Sequence, residues 1–143
     1  MPIAEWIDKG GAVAKVELLL RTKQFALRAM KLDDALPRTT AGRKIGDRLL
    51  RSGTSVGANY RAACRSRSKR EFIAKIGIVE EEADESVYWM ELIMEAKLVK
   101  SNRVLPLYDE AQQICRIMAK SRITACRSLG NPENRQSAIG NRQ

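Results

Sequence analysis

Hydrophobic residues recur at three- and four-residue steps in four stretches of the chain, which is the period of an amphipathic α-helix. In the first stretch these residues are Val13, Val16, Leu19, Leu20, Leu27 and Met30. The stretch ends at Leu36-Pro37, because helical backbone is disfavoured for the residue before a proline. The pattern predicts a first helix over residues 12–35. Thr39 or Thr40 can cap a second helix, predicted over residues 40–65.

The third and fourth stretches predict two more helices. Ser68 followed by Glu71 has the spacing of a capping box, in which the hydroxyl and the carboxylate each accept a hydrogen bond from a free backbone N–H. The third helix is therefore predicted over residues 69–99. The fourth is predicted over residues 106–128, starting at Pro106. The four helices with their short links predict an all-α, antiparallel up-down-up-down four-helix bundle.

The predicted bundle occupies residues 12–128, between an N-terminal extension at 1–11 and a polar, flexible tail at 129–143. Gly53 and Gly57 each weaken a helix, so we expect their small face to admit a neighbouring backbone closely. The expected core residues are Leu20, Leu27, Ile45, Leu49, Val56, Phe72, Ile76, Val79, Ala83, Met90, Ile114 and Met118.

The third helix is apolar around more of its circumference than one core stripe requires. Tyr88, Trp89 and Leu92 fall outside that stripe. Since large exposed apolar patches usually mark protein interfaces, these three residues are candidate contacts in a homo-oligomer. The alternative is that the last helix or the tail covers them.

Composition argues against an enzyme. The chain has 143 residues, 44% of them hydrophobic and 30% charged, as in one globular domain. It contains no histidine, the side chain most used for acid–base catalysis and a frequent metal ligand. We predict no catalytic residue, no metal and no cofactor. The G-x-S-x-G letters at Gly53–Gly57 lack the preceding strand and the histidine that such a nucleophile needs.

Cys64, Cys115 and Cys126 form an odd set without a CxxC pair, which is typical of reduced thiols. Arginines beside Cys64 in the sequence predict a lowered pKa for its thiol, although a small buried residue at a helix end is the simpler interpretation. No signal peptide or membrane-spanning segment is recognisable. We therefore expect a cytoplasmic protein without a membrane partner.

The charge is unevenly distributed. Lys and Arg number 26 against 17 Asp and Glu, a formal charge of +9. Residues 38–70 hold ten basic groups and one acid, whereas residues 71–96 hold one basic group and eight acids. The predicted phosphate contacts at the exit of the second helix are Arg61, Arg65, Arg67, Lys69 and Arg70, with Arg43 and Arg48 as a second row. The alternative is a scaffold whose basic surface docks an acidic protein or only balances the third helix.

Two segments carry a resemblance to a known family. RSGTSVGANYRAACRSRSKREF at 51–72 and EADESVYWMEL at 82–92 resemble the bacterial 23S ribosomal RNA intervening sequence protein family. The similarity extends over residues 17–125 and includes Ser55, Val56 and Asn59. Many relatives continue with Ala-Glu-Gly where this chain has Arg61-Ala62-Ala63.

The resemblance implies a four-helix bundle that assembles as a ring, a homopentamer, and it implies no catalytic residues. The family is similar to the accessory proteins of diversity-generating retroelements, which are basic pentameric barrels. Those proteins bind nucleic acid and a reverse transcriptase. The partners that the resemblance implies are therefore further copies of the chain, RNA or DNA, and a partner protein such as a reverse transcriptase.

Overall fold

The computed structural model describes residues 11–130, which form four α-helices and no strand. The helices are α1 (Gly11–Ala35), α2 (Thr40–Ala63), α3 (Lys69–Glu95) and α4 (Ser101–Leu129). The predicted all-α, four-helix class is confirmed. The predicted N-terminal extension and C-terminal tail lie almost wholly outside the described residues.

Each helix packs mainly on its neighbours in the chain. α1 packs on α2, α2 on α3 and α3 on α4, while α1 and α4 meet less closely, so that α3 lies diagonally across the bundle from α1. Polar contacts tie α3 to α4 along their length. Arg122 Nε donates to Glu80 Oε2 at 2.8 Å, and Tyr108 Oη donates to Glu91 Oε1 at 3.2 Å. The outer faces of α1 and α3 consequently point away from each other.

The starts of α2 and α3 are fixed by side-chain caps, as the sequence predicts. Thr39 Oγ1 accepts the Gly42 N–H at 3.1 Å, and Ser68 Oγ accepts the Glu71 N–H at 3.1 Å. The Glu71 carboxylate also accepts a backbone N–H, but from Arg67 and not from Ser68 itself. Each cap satisfies a donor that the helix leaves free, and such a cap is typically worth about 1 kcal/mol.

Two helix boundaries were predicted wrongly around the third link. α3 ends at Glu95, four residues before the predicted end at residue 99, and Lys97 adopts the left-handed φ of 54° that terminates a helix. α4 begins at Ser101 instead of residue 106 and continues through Pro106. That exposed proline lies in the second turn, where it removes one backbone hydrogen bond and its ring faces solvent. α2 also stops two residues early, at Ala63.

The core is confirmed for three helices and corrected for α1. Of the twelve predicted core residues, Ile45 is half-buried and nine are fully buried: Leu49, Val56, Phe72, Ile76, Val79, Ala83, Met90, Ile114 and Met118. Leu20 and Leu27 were placed wrongly, because they are 57% and 52% exposed. α1 instead buries Leu18, Phe25, Ala29 and Leu32. The error arises because α1 carries apolar residues on two opposite sides.

The small face of α2 lets α1 approach closely. A Cβ added at Gly53 would lie 2.9 Å from the Cβ of Ala29, and one added at Gly57 would lie 3.2 Å from the carbonyl oxygen of Thr22. Both distances are shorter than an ordinary van der Waals contact. The packing interpretation of these two glycines is confirmed, and it brings α1 and α2 together along one side of the molecule.

Candidate nucleic-acid interface

The link between α2 and α3 presents the arginines of the predicted interface. The chain leaves α2 in a tight turn in which the Arg65 N–H donates to the Ala62 carbonyl at 3.0 Å and the Ser66 N–H to the Ala63 carbonyl at 3.1 Å. Arg67 then precedes the Ser68 cap of α3. The side chains of Arg65 and Arg67 are both exposed to solvent.

Four exposed arginines make up the basic turn, which we define as Arg61, Arg65, Arg67 and Arg70. None of them forms an ion pair within residues 11–130. The fifth predicted contact, Lys69, is half-buried and its ammonium donates to the hydroxyl of Ser128. Desolvation lowers the pKa of Lys69. Lys69 therefore ties α3 to α4, and the guanidinium groups are the available cations.

Two acids of α3 form ion pairs with cations outside the basic turn. Glu71 pairs with Lys75 at 2.9 Å and Glu80 with Arg122 at 2.8 Å. The hydrogen bond from the Arg67 backbone N–H and the contact with Lys75 hold the pKa of Glu71 below its usual value. Neither carboxylate forms an ion pair with a guanidinium group of the basic turn, although the charge of Arg67 also helps to lower the pKa of Glu71.

Arg43 and Arg48 lie elsewhere on α2. At 1.5 Å per residue, they are about 27 Å and about 20 Å along the helix from Arg61. Arg48 stacks on α3, with its Cζ 5.9 Å from the centre of the Trp89 ring. The structure therefore does not bring these two residues into the basic turn.

The three candidate oligomer contacts on α3 differ in exposure. Tyr88 is 53% exposed, whereas Trp89 and Leu92 are half-buried. Trp89 is held by Arg48 and by a hydrogen bond from its Nε1 to Glu85 Oε1 at 3.2 Å. Tyr88 meets Trp89 edge to face, with ring centres 5.0 Å apart. Tyr88 is the most accessible of the three.

A groove between α1 and α2 adjoins the basic turn and was missed in the sequence. It encloses about 680 Å³ over an apolar floor that includes Val16, Leu19 and Leu20. Its charged lining residues are all basic: Lys15, Lys23, Arg61 and Arg65. The two lysines were overlooked because Leu20 and Leu27 were assigned to the core, so that this side of α1 was not expected to be a surface.

Two of the three cysteines are shielded from solvent, whereas Cys126 is exposed. Cys64 is buried, as the simpler interpretation held, and desolvation raises the pKa of its thiol, so the predicted lowering is wrong. Burial likewise raises the pKa of Cys115 to about 11. Residues 11–130 contain no group of three or more Cys, Asp or Glu side chains placed to hold a metal ion. Among the four helices, none is long and apolar enough to cross a membrane.

The fold and the site define a basic protein of four helices with an arginine-rich turn at one end. The chain belongs to the 23S rRNA-intervening sequence protein family, whose model matches residues 14–120. It is also similar to a crystal structure of a protein with unknown function from the S23 ribosomal protein family of Bacteroides thetaiotaomicron. The two are 28% identical with a TM-score of 0.69, over 73% of this chain and 97% of that one. None of the curated proteins matches the chain.

Proposed function

We propose that this protein is a non-enzymatic accessory protein that binds RNA or DNA through phosphate contacts at the basic turn. The observation that carries the proposal is the exposure of Arg61, Arg65, Arg67 and Arg70 without an ion-pair partner in residues 11–130. Guanidinium groups bind phosphate oxygens as charge-assisted pairs and release condensed counterions on doing so. The membership of an rRNA-intervening sequence family is consistent with a nucleic-acid partner.

The proposed binding does not depend on base sequence. The basic turn contains no aromatic side chain on which bases could stack, and the nearest ones in the chain, Tyr60 and Phe72, are both buried. Stacking platforms for single strands need exposed aromatic rings. Contacts to the phosphate backbone are therefore the mode that these residues favour.

The proposal includes a homo-oligomer, a pentameric ring of antiparallel up-down bundles in the form that the family resemblance implies. Repeating one basic turn around a ring raises the local concentration of binding sites, so weak contacts reinforce one another. Exposed apolar side chains support self-association, and Tyr88 is one of them. A reverse transcriptase is the candidate protein partner under the same resemblance.

The test is a titration with fluorescently labelled RNA, DNA and an acidic polypeptide of matched charge. Counterion release predicts that log affinity falls linearly with log salt, with a slope of about −0.7 to −0.9 per phosphate contact. The double variant Arg67→Glu/Arg70→Glu should weaken nucleic-acid binding at least tenfold without changing helicity. Lys97→Glu/Lys100→Glu is the matched control, because it reverses two exposed charges in the α3–α4 link.

A scaffold that docks an acidic protein is the second candidate, favoured by the basic rim of the α1–α2 groove. If the protein is such a scaffold, the acidic polypeptide binds more tightly than nucleic acid of the same charge, and Arg67→Glu/Arg70→Glu has little effect on that binding. If the wild-type protein fails to bind RNA or DNA at about 50 mM salt, the nucleic-acid function is refuted.

A further inference from the structure

The outer face of α1 carries an apolar stripe that nothing in the described chain covers. Val16, Leu20, Leu27 and Met30 are all exposed, on the side of the helix opposite the buried Phe25. With Lys23 they follow steps of four and three residues, the heptad spacing by which one helix packs against another. Four large apolar side chains in one exposed row indicate a surface that normally meets a second helix.

Charge limits which helix can fit this surface. The stripe continues into the α1–α2 groove, whose charged lining residues, among them Lys15 and Lys23, are all basic. Two copies of α1 packed on each other would bring those lysines together, which is unfavourable. The fitting occupant is a helix with apolar residues flanked by acids.

α3 of the same chain has that composition on its outer face. Ile78 and Tyr88 are exposed apolar residues, and the exposed Glu81 and Asp84 lie between them. Neither acid forms an ion pair within the residues that the structure describes. We define Ile78, Glu81, Asp84 and Tyr88 as the acidic face. A face of this kind complements both the floor and the rim of the groove.

The two surfaces cannot meet within one molecule. α1 and α3 lie diagonally across the bundle and their outer faces point in opposite directions. A contact between the groove of one copy and the acidic face of the next is therefore head-to-tail. Head-to-tail contacts use different patches on the two subunits, and they close into a ring when the rotation allows.

We propose that the occupant of the α1–α2 groove is the acidic face of α3 from a second copy of this chain. The proposal deepens the homo-oligomer part of the proposed function by assigning its contact surfaces. Of the three candidate oligomer contacts predicted from the sequence, Tyr88 is kept in this interface, whereas Trp89 and Leu92 are no longer principal contacts. Arg67 and Arg70 do not line the groove, so they stay available to phosphates in the assembly.

The experiment uses charge reversals on either side of the contact. Lys15→Glu/Lys23→Glu places two acids against the acidic face and cancels the net positive charge of the rim, which keeps only Arg61 and Arg65. Glu81→Lys/Asp84→Lys makes the facing surface basic, so that it repels the unchanged rim. Size-exclusion chromatography with light scattering at micromolar concentration should give an oligomer for the wild type. Each double variant should give the 16.1 kDa monomer. Lys97→Glu/Lys100→Glu reverses as many charges elsewhere and should leave the oligomer intact.

The combined variant with all four reversals separates a specific contact from a general loss of stability. In every head-to-tail contact it again places opposite charges at positions 15 and 23 of one copy and 81 and 84 of the next, so it should recover the oligomer. Circular dichroism checks that each variant keeps its helicity. A monomeric wild type, double variants that still assemble, or a combined variant that stays monomeric would each overturn the proposal.

The nucleic-acid function and this contact between copies can be refuted separately. Arg67→Glu/Arg70→Glu should weaken RNA binding at least tenfold while the oligomer persists. Lys15→Glu/Lys23→Glu should remove the oligomer and leave weak binding by single basic turns. An oligomer that obeys the charge swap but binds no nucleic acid refutes the proposed function alone. A wild type that binds RNA as a monomer refutes the assembly alone.

Discussion

The corrected orientation of α1 predicts a large loss of stability for one substitution and a small loss for another two residues away. Phe25 is fully buried between α1 and α2, so Phe25→Ala should destabilise the fold by about 3–5 kcal/mol, the range for removing a core aromatic ring. Leu27 is 52% exposed. Leu27→Ala removes three carbons worth about 0.8 kcal/mol each when buried, hence about 1 kcal/mol at half burial, and it leaves no enclosed cavity.

Urea unfolding followed by circular dichroism measures both values. With a slope of about 2 kcal/mol per molar urea, Phe25→Ala should lower the midpoint by about 2 M and Leu27→Ala by about 0.5 M. Because Leu27 belongs to the outer stripe, part of its effect can pass through assembly and then depends on protein concentration. The measurement is therefore made in the Lys15→Glu/Lys23→Glu background. Equal losses for Phe25→Ala and Leu27→Ala in that background would refute the orientation of α1.

Three further predictions concern the core, acid stability and thiol reactivity. Val56→Asp buries an unpaired carboxylate and should lower the free energy of unfolding by several kcal/mol, measured by urea denaturation. Because hydrogen bonding from the Arg67 N–H lowers the folded pKa of Glu71, its contribution to stability is present above its unfolded pKa and is lost as pH falls through the folded pKa. Replacing Glu71 by Gln should therefore flatten the acid side of a stability–pH curve. Cys64 should react with a thiol-alkylating reagent far more slowly than the exposed Cys126, because Cys64 is buried with a raised pKa, and mass spectrometry after proteolysis distinguishes them.

The sequence predicted the elements well where a helix has only one apolar side. In α2 the buried positions fall on one stripe, and the caps of α2 and α3 at Thr39 and Ser68 are visible as residue types. The small residues at Gly53 and Gly57 also pointed to close packing before any neighbour was known. Such features depend on neighbouring residues or on a single helical period, so they can be predicted from the sequence alone.

α1 shows why part of the surface could not be predicted. Its two apolar rows, one through Phe25 and the other through Leu27, have the same period and differ only in which one faces the other helices. That choice depends on tertiary contacts, such as Ala29 against Gly53, which no periodicity reveals. Because the row through Leu27 was assigned to the core in place of the row through Phe25, the groove and its lining residues Lys15 and Lys23 were not predicted. The boundary at Pro106 failed for a related reason, since an exposed proline in the second turn is compatible with a helix that starts earlier.

The acidic and basic surfaces of the chain do not meet within one molecule, but they could meet between copies in an assembly. Within one bundle, α3 is acidic and α1 with α2 is basic, yet Glu81 and Asp84 on one side and Lys15 and Lys23 on the other lie on opposite faces and do not neutralise each other. The proposed head-to-tail association would pair both sets at once, because each copy carries one acidic face and one basic rim. Arg67 and Arg70 lie outside the groove, and neither forms an ion pair in residues 11–130. Under the proposed function, these two arginines are therefore the part of the basic turn that stays available to the phosphates of a nucleic acid in the assembly.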